Sequence, residues 1–312
     1  MYRLFDALVL AALAAFAMPA TTHGQIFVSN LGLLQSNGNV INGSGSIGEY
    51  TISGTTVNAA LISGLTLPDD LAVIGANLFV TSATNIGAIA EYTTSGGTVN
   101  ASLISGLNSP AGIAVSGTNL FVTSFLGGTV GEYTAAGATV NASLVTGLSN
   151  PYGITVSGSN LFVGNFTGGK VGQYTTSGAP VNSGLISGVP TPVGVAVFGD
   201  KLFVTDFNDG LVGEYTTSGA TVNASLITGL HNPVGIAVFG GNLFVANRAS
   251  GTIGEYTISG ATVNATLISG LNLPTGIAIV PEPSSAVLAA SGFALAAWVW
   301  RRRCGRLVSS TA

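Results

Sequence analysis

One period governs this chain. A tyrosine recurs at Tyr50, Tyr92, Tyr133, Tyr174, Tyr215 and Tyr256, at steps of 42, 41, 41, 41 and 41 residues. Three more columns keep that step. They are Phe27, Phe79, Phe121, Phe162, Phe203 and Phe244; Pro68, Pro110, Pro151, Pro192, Pro233 and Pro274; and Asn58, Asn100, Asn141, Asn182, Asn223 and Asn264. Four registers with one spacing make the repeat, rather than the whole chain, the folding unit.

Each unit reads as four short strands: G-I-A-V (Gly235 to Val238), N-L-F-V (Asn242 to Val245), T-I-G-E-Y-T (Thr252 to Thr257) and T-V-N-A-T-L-I (Thr262 to Ile268). β-Branched and aromatic residues fill these stretches, and Gly, Asn, Ser or Pro separate them. Ser-Gly pairs such as Ser177-Gly178 suit tight hairpins, where glycine accepts positive φ. Four strands in about 41 residues, six times over, predict an all-β, six-bladed propeller. A β-solenoid is the alternative, and the ends of the repeat decide against it. The body opens on a second strand, Ile26-Phe27-Val28, and finishes on a first strand, Gly276 to Ile279. Joined, they complete one blade and remove two open edges. An open solenoid gains nothing from that offset.

Composition closes off other classes. Gly (45) and Pro (11) together make roughly 18% of 312 residues, below the roughly 25–30% of low-complexity disorder. The 47% hydrophobic content is ample for a core. A net charge of −4 without a basic stripe excludes nucleic acid as a partner.

The two ends read as processing signals. Residues 1–24 have Arg3, an apolar run Ala7 to Ala17 and small residues before Gln25, the layout of a secretory signal peptide. At the other end Pro281-Glu282-Pro283 precedes the uncharged run Ala286 to Trp300, then Arg301, Arg302 and Arg303. Fifteen helical residues span about 22 Å, short of the roughly 30 Å hydrocarbon core. A helix at 286–300 is therefore a marginal transmembrane anchor, oriented by its basic end. Residues 307–312 read as a cytoplasmic tail. The one cysteine, Cys304, lies beyond the arginines, so the body 25–280 holds no disulfide.

Pro-Glu-Pro, apolar helix and arginine cluster in that order resemble the PEP-CTERM sorting domain of Gram-negative bacteria, over about residues 281–306. The resemblance implies an exosortase substrate, held transiently in the inner membrane and destined for the cell surface or extracellular matrix. Pro281, Glu282, Pro283 and the arginines would be its recognised features, with exosortase and exopolysaccharide as its partners. The repeat itself, Pro-x-Gly-Ile-Ala-Val then Asn-Leu-Phe-Val then Gly-Glu-Tyr, resembles a diverged NHL-type repeat of six-bladed propellers. The aspartate usual after Phe-Val stands here once, at Asp206; Asn30, Ser82, Ser124, Asn165 and Asn247 fill the other copies.

Chemistry is sparse. The body carries Lys170, Lys201 and Arg248 against ten acids, a formal balance of −7, and one histidine, His231. Five glutamates (Glu49, Glu91, Glu132, Glu214 and Glu255) share a repeat position, with Gln173 in the sixth. That column reads either as an acidic ring for a cation or sugar, or as a repeated partner for a neighbouring turn. Asp206, Asn208 and Asp209 form a non-repeating cluster, and Asp206 with Asp209 are the candidate Ca²⁺ ligands, although ordinary turns use the same residues. Arg248 and His231 could join that face in binding. Asn-x-Ser/Thr triplets, as at Asn100, read as conformational. An insertion over residues 31–46 is polar and rich in Gly and Asn, and reads equally as a mobile cover or as nothing specific. The channel wall, built from Gly, Ile, Ala and Val, is expected to be apolar and chemically poor. These observations favour a non-enzymatic binding or structural protein without a cofactor. A Ca²⁺-dependent hydrolase or lyase of the six-bladed type is the alternative.

Overall fold

The computed structural model describes residues 24–37 and 39–281. It is all-β, with six four-stranded antiparallel sheets. Blade 1 holds β1 (Gly24–Asn30), β2 (Gly45–Thr51) and β3 (Thr56–Leu65). Blade 2 holds β4 (Pro68–Ile74), β5 (Asn77–Ser82), β6 (Gly87–Thr93) and β7 (Thr98–Leu107). Blade 3 holds β8 (Pro110–Ser116), β9 (Asn119–Ser124), β10 (Thr129–Thr134) and β11 (Thr139–Val145). Blade 4 holds β12 (Pro151–Ser157), β13 (Asn160–Asn165), β14 (Lys170–Thr175) and β15 (Pro180–Ser187). Blade 5 holds β16 (Pro192–Phe198), β17 (Lys201–Asp206), β18 (Leu211–Thr216) and β19 (Thr221–Ile227). Blade 6 holds β20 (Pro233–Phe239), β21 (Asn242–Asn247), β22 (Thr252–Thr257) and β23 (Thr262–Ile268). The last strand, β24 (Pro274–Pro281), pairs with β1, giving blade 1 the order β24-β1-β2-β3. The three-plus-one closure expected from the offset is what forms. The compact body spans Ile26–Ile279. The signal segment 1–23, the apolar run 286–300, Glu282, Pro283 and the three arginines lie outside the described residues, as do residues 307–312.

Packing follows from the repeat columns. The second strand of each blade buries its phenylalanine, so Phe27, Phe79, Phe121, Phe162, Phe203 and Phe244 form a ring of filled interiors. Neighbouring blades then share clusters. Phe121 and Val130 of blade 3, for instance, pack with Ile154, Leu161 and Val163 of blade 4. A hydroxyl after the Phe-Val pair ties blades together. Ser29, Thr81, Thr123 and Thr205 donate to the inner-strand carbonyls of Asp69 (2.6 Å), Ala111 (2.7 Å), Tyr152 (2.5 Å) and Val234 (2.9 Å) in the next blade. Closure obeys the same grammar. The hairpin glycine Gly54 (φ +84°) of blade 1 rests on the Leu267 carbonyl of blade 6, as Gly178 rests on Leu144 between blades 4 and 3.

Two sequence columns acquire structural roles. The glutamates hold their own blades together. Glu91, Glu132 and Glu255 accept from Asn77, Asn119 and Asn242, each at 2.7 Å, and Glu214 pairs with Lys201 at 2.6 Å. In these four copies the turn-partner reading holds, not the ligand ring. The outer-strand asparagines accept from the backbone N–H two residues on, as Asn100 does from Ser102 at 3.0 Å. That bond satisfies a donor at the irregularity in each outer strand. The 31–46 insertion is a small turned excursion with a Leu34–Val40 bridge, braced by Ser44 against Ile41 (2.6 Å) and Leu33 (2.9 Å).

Candidate functional site

The six inner strands surround a channel cavity of about 320 Å³. Most of its wall is the expected Ile, Val, Ala and Gly. Its end nearest the start of the inner strands is different: Asp69, Asp70 and Tyr152 line it. The expectation of a chemically poor channel is therefore wrong. The reason is local. The inner strand starts Pro-x-Gly in five blades, but Pro68-Asp69-Asp70 in blade 2. Two adjacent carboxyl residues of that strand thereby enter the lining of one cavity.

Asp69 is buried at 3% exposure, and its Oδ1 accepts the Tyr152 hydroxyl at 2.7 Å, linking blades 2 and 4. Asp70 is half-buried. Its Oδ1 accepts from Leu71 N at 2.9 Å and its Oδ2 from Ile113 N at 3.0 Å in the next blade. Burial dominates the protonation of both. It pushes Asp69 up to about 6, against the Tyr152 hydrogen bond and the Arg248 charge. It pushes Asp70 up to about 7, against the two backbone N–H bonds and with the Asp69 charge adding to the rise. Burial, then the Asp69 charge, also drives the Tyr152 phenol well above its ordinary value. Tyr152 is therefore a proton donor here, not a base.

The rim of this end is set by one repeated hydrogen bond. The residue that follows the second strand donates its N–H to the residue before the inner-strand proline. Ala83 bonds Leu67 (2.9 Å), Phe125 bonds Ser109 (2.9 Å), Phe166 bonds Asn150 (3.1 Å), Phe207 bonds Thr191 (3.0 Å) and Arg248 bonds Asn232 (3.1 Å). Leu67, Ser109, Asn150, Asn232 and Leu273 hold positive φ of 47–55°. Side-chain-bearing residues adopt that region uncommonly, and such strain persists only where surrounding contacts fix it. The rim side chains form an arc. Phe125 meets Tyr152 edge-on (centroids 5.9 Å, 83°), Phe166 follows at 6.0 Å and Phe207 at 6.3 Å. Arg248 holds the same repeat position in the next blade and acts electrostatically on Asp69 and Tyr152.

The residues singled out from sequence lie on loops at this same end. The turn after β17, the connector before β20 and the turn after β21 stand side by side through Leu230 N to Gly210 O (2.9 Å) and Ala249 N to His231 O (3.1 Å). Asp206 is buried, and its Oδ1 accepts from Thr191 Oγ1 (2.7 Å) and Asp209 N (3.2 Å), which braces the turn. Asn208, Asp209 and His231 are exposed, and none of these four lines the cavity. Of that set Arg248 acts electrostatically on Asp69. Among the described residues no three His, Cys, Asp or Glu side chains are grouped as a metal site. Asp69, Asp70 and Tyr152 were missed because repeats are read for what recurs. A column-by-column search for exceptions would have found an aspartate in a glycine column.

Residues 280–303 match the PEP-CTERM protein-sorting motif. No curated protein matches the chain. Solved propellers share its fold. A chain of a nidogen/laminin complex aligns at TM-score 0.59 with 16% identity, covering 82% of this chain and 98% of that one. A catalytically inactive virginiamycin B lyase from Staphylococcus aureus with quinupristin aligns at 0.57 with 19% identity, covering 82% and 92%. A streptogramin B lyase aligns at 0.57 with 18% identity, covering 83% and 92%. At such identities the likeness is one of fold.

Proposed function

We propose that this exported, exosortase-sorted propeller, which carries the PEP-CTERM motif at residues 280–303, is a non-enzymatic binding protein of the cell surface or extracellular matrix, with exopolysaccharide as its ligand. The observation that carries the reading is the polar channel end. One carboxyl pair and one phenol interrupt an otherwise largely apolar channel wall, with an arc of three phenylalanines at the rim and the Arg248 charge acting on Asp69. Carboxyls and a phenol orient sugar hydroxyls, and aromatic rims cover their apolar faces. Three of the four Asp69 and Asp70 oxygens already accept internal hydrogen bonds. Such fixed groups suit recognition. Ile279, where β24 leaves the ring, lies at the opposite end of the channel from Asp69, because β24 and β4 run the same way.

A second reading, a hydrolase or lyase of the six-bladed type, draws on one observation. Burial brings both carboxyls to about 6 and 7, the range in which a general acid or base works at neutral pH. A polysaccharide-binding screen of the exported protein, with and without Ca²⁺ and with product sizing, separates the two. The binding reading expects retention of intact polysaccharide that survives chelation of Ca²⁺. Shortened or unsaturated products would replace it with the enzymatic one.

A further inference from the structure

We infer that the polar end of the channel receives a primary ammonium group on a compact, otherwise uncharged ligand, the chemistry of a deacetylated amino-sugar unit. This rests on the binding reading above and names its ligand class.

The first observation is that Asp70 stands in a column where the other five blades hold glycine. In four other blades a Cβ at the equivalent glycine would collide with the next blade: Gly112 with the Tyr152 carbonyl, Gly153 with Val193, Gly194 with Val234 and Gly235 with Thr275. At Gly276 it would come 2.6 Å from Asp70 Oδ1 itself. In blade 2 that crowded column holds a carboxyl instead, its Oδ2 taking the Ile113 N–H of the next blade.

The second observation is the balance of charge and donors around it. Leu71 N and Ile113 N fix the Asp70 carboxyl from two blades while its side chain stays open to the cavity. Among the described residues neither Asp69 nor Asp70 makes an ion pair; Arg248 reaches Asp69 through space. Two adjacent carboxyls facing one cavity call for a cation. Ca²⁺ takes six to eight oxygens, yet three of these four oxygens are already occupied and no third acid is grouped with them. An ammonium brings three donors and no acceptor, and needs few partners. The cavity, about 320 Å³, sits at the low end of the roughly 300–1,000 Å³ of ligand pockets, far beyond a bare ion. Below the acids the wall is Leu71, Ile113 and Ile154, suited to an apolar ring face. The Phe125 and Tyr152 rings at the rim also tolerate a cation. An anionic sugar meets the carboxyls with like charge, and a neutral one offers them no counter-charge as they ionise through about pH 6 and 7.

The test is calorimetric titration of the exported protein with three oligosaccharides of equal length: glucosamine, N-acetylglucosamine and glucose. CaCl₂ is titrated separately. The same set is run on Asp70→Gly, which restores the residue of the other five blades, and on the near-isosteric Asp70→Asn; cooperative melting verifies that each folds. Expected is at least a tenfold preference for the glucosamine oligomer, lost in both variants. Equal binding of all three oligomers would overturn the ammonium inference and leave the glycan reading standing. Binding of none would overturn both. Ca²⁺ binding that disappears in the variants, without a glucosamine preference, would make the site a metal site and overturn the inference.

Discussion

A chain ended at Leu273 is expected to lose cooperative unfolding altogether. The deletion removes β24, the inner strand of blade 1, and leaves β1 as an open edge. It takes Ile277 out of the cluster it shares with Ile26, Val28 and Phe244, and Ile279 from the margin of that cluster. At about 1.5–3 kcal/mol for each fully buried aliphatic side chain, that alone costs several kcal/mol. It also breaks the latch in which Ser29 Oγ accepts from Gly276 N at 2.7 Å and meets Thr275 Oγ1 at 3.0 Å, about 1 kcal/mol per bond. With the lost ladder to β1, the sum is comparable to the about 5–15 kcal/mol that holds a typical domain. Urea or thermal melting against a chain ended at Pro281 checks this. Matching sharp transitions would mean that the ring does not depend on its closing strand.

The second large effect is on pH dependence. Asp69 and Asp70 titrate near 6 and 7 in the fold, but at the ordinary 3.8 once unfolded. Between about pH 4 and 7 the folded state therefore binds more protons than the unfolded one. The stability linked to these groups is complete below about pH 4 and is lost as pH rises through 6 and 7. The protein should be more stable at pH 5 than at pH 8 by a few kcal/mol, at about 1.4 kcal/mol per unit of separation. Asp70→Gly removes the more strongly shifted group and its push on Asp69, so more than half of that slope should vanish. Urea midpoints at pH 5, 6.5 and 8 for both proteins read this out. A slope of opposite sign, or one unchanged in the variant, would mean that these carboxyls are not held as described.

The fold was legible because every blade repeats the same solution. The Phe of Asn-Leu-Phe-Val fills each blade, the Tyr of Gly-Glu-Tyr packs over the glycine two residues before it, as Tyr133 does over Gly131, and the offset between Ile26 and Ile279 spells the closure. The glutamate column was visible, but its role was not. Only geometry shows that Glu91 reaches back to Asn77 and is used up within its own blade. The site was hidden by the same regularity. Asp69 and Tyr152 are 83 residues apart at matching positions in blades 2 and 4, and only a closed ring brings them within 2.7 Å. Asp206, the one aspartate in its column, drew attention for its type, yet its carboxyl braces a turn. The Pro-Glu-Pro and arginine pattern was legible as a sorting signal because that code is linear.

On the proposed function the polar end of the channel, not the broad outer strands, is the binding surface. Amide hydrogen exchange of the exported protein, with and without saturating polysaccharide, tests it most directly. Expected is slowed exchange at Leu71, Ile113 and residues 152–154, with the outer strands β3, β7, β11, β15, β19 and β23 unchanged. Protection confined to those outer strands, with the channel end unaltered, would contradict it.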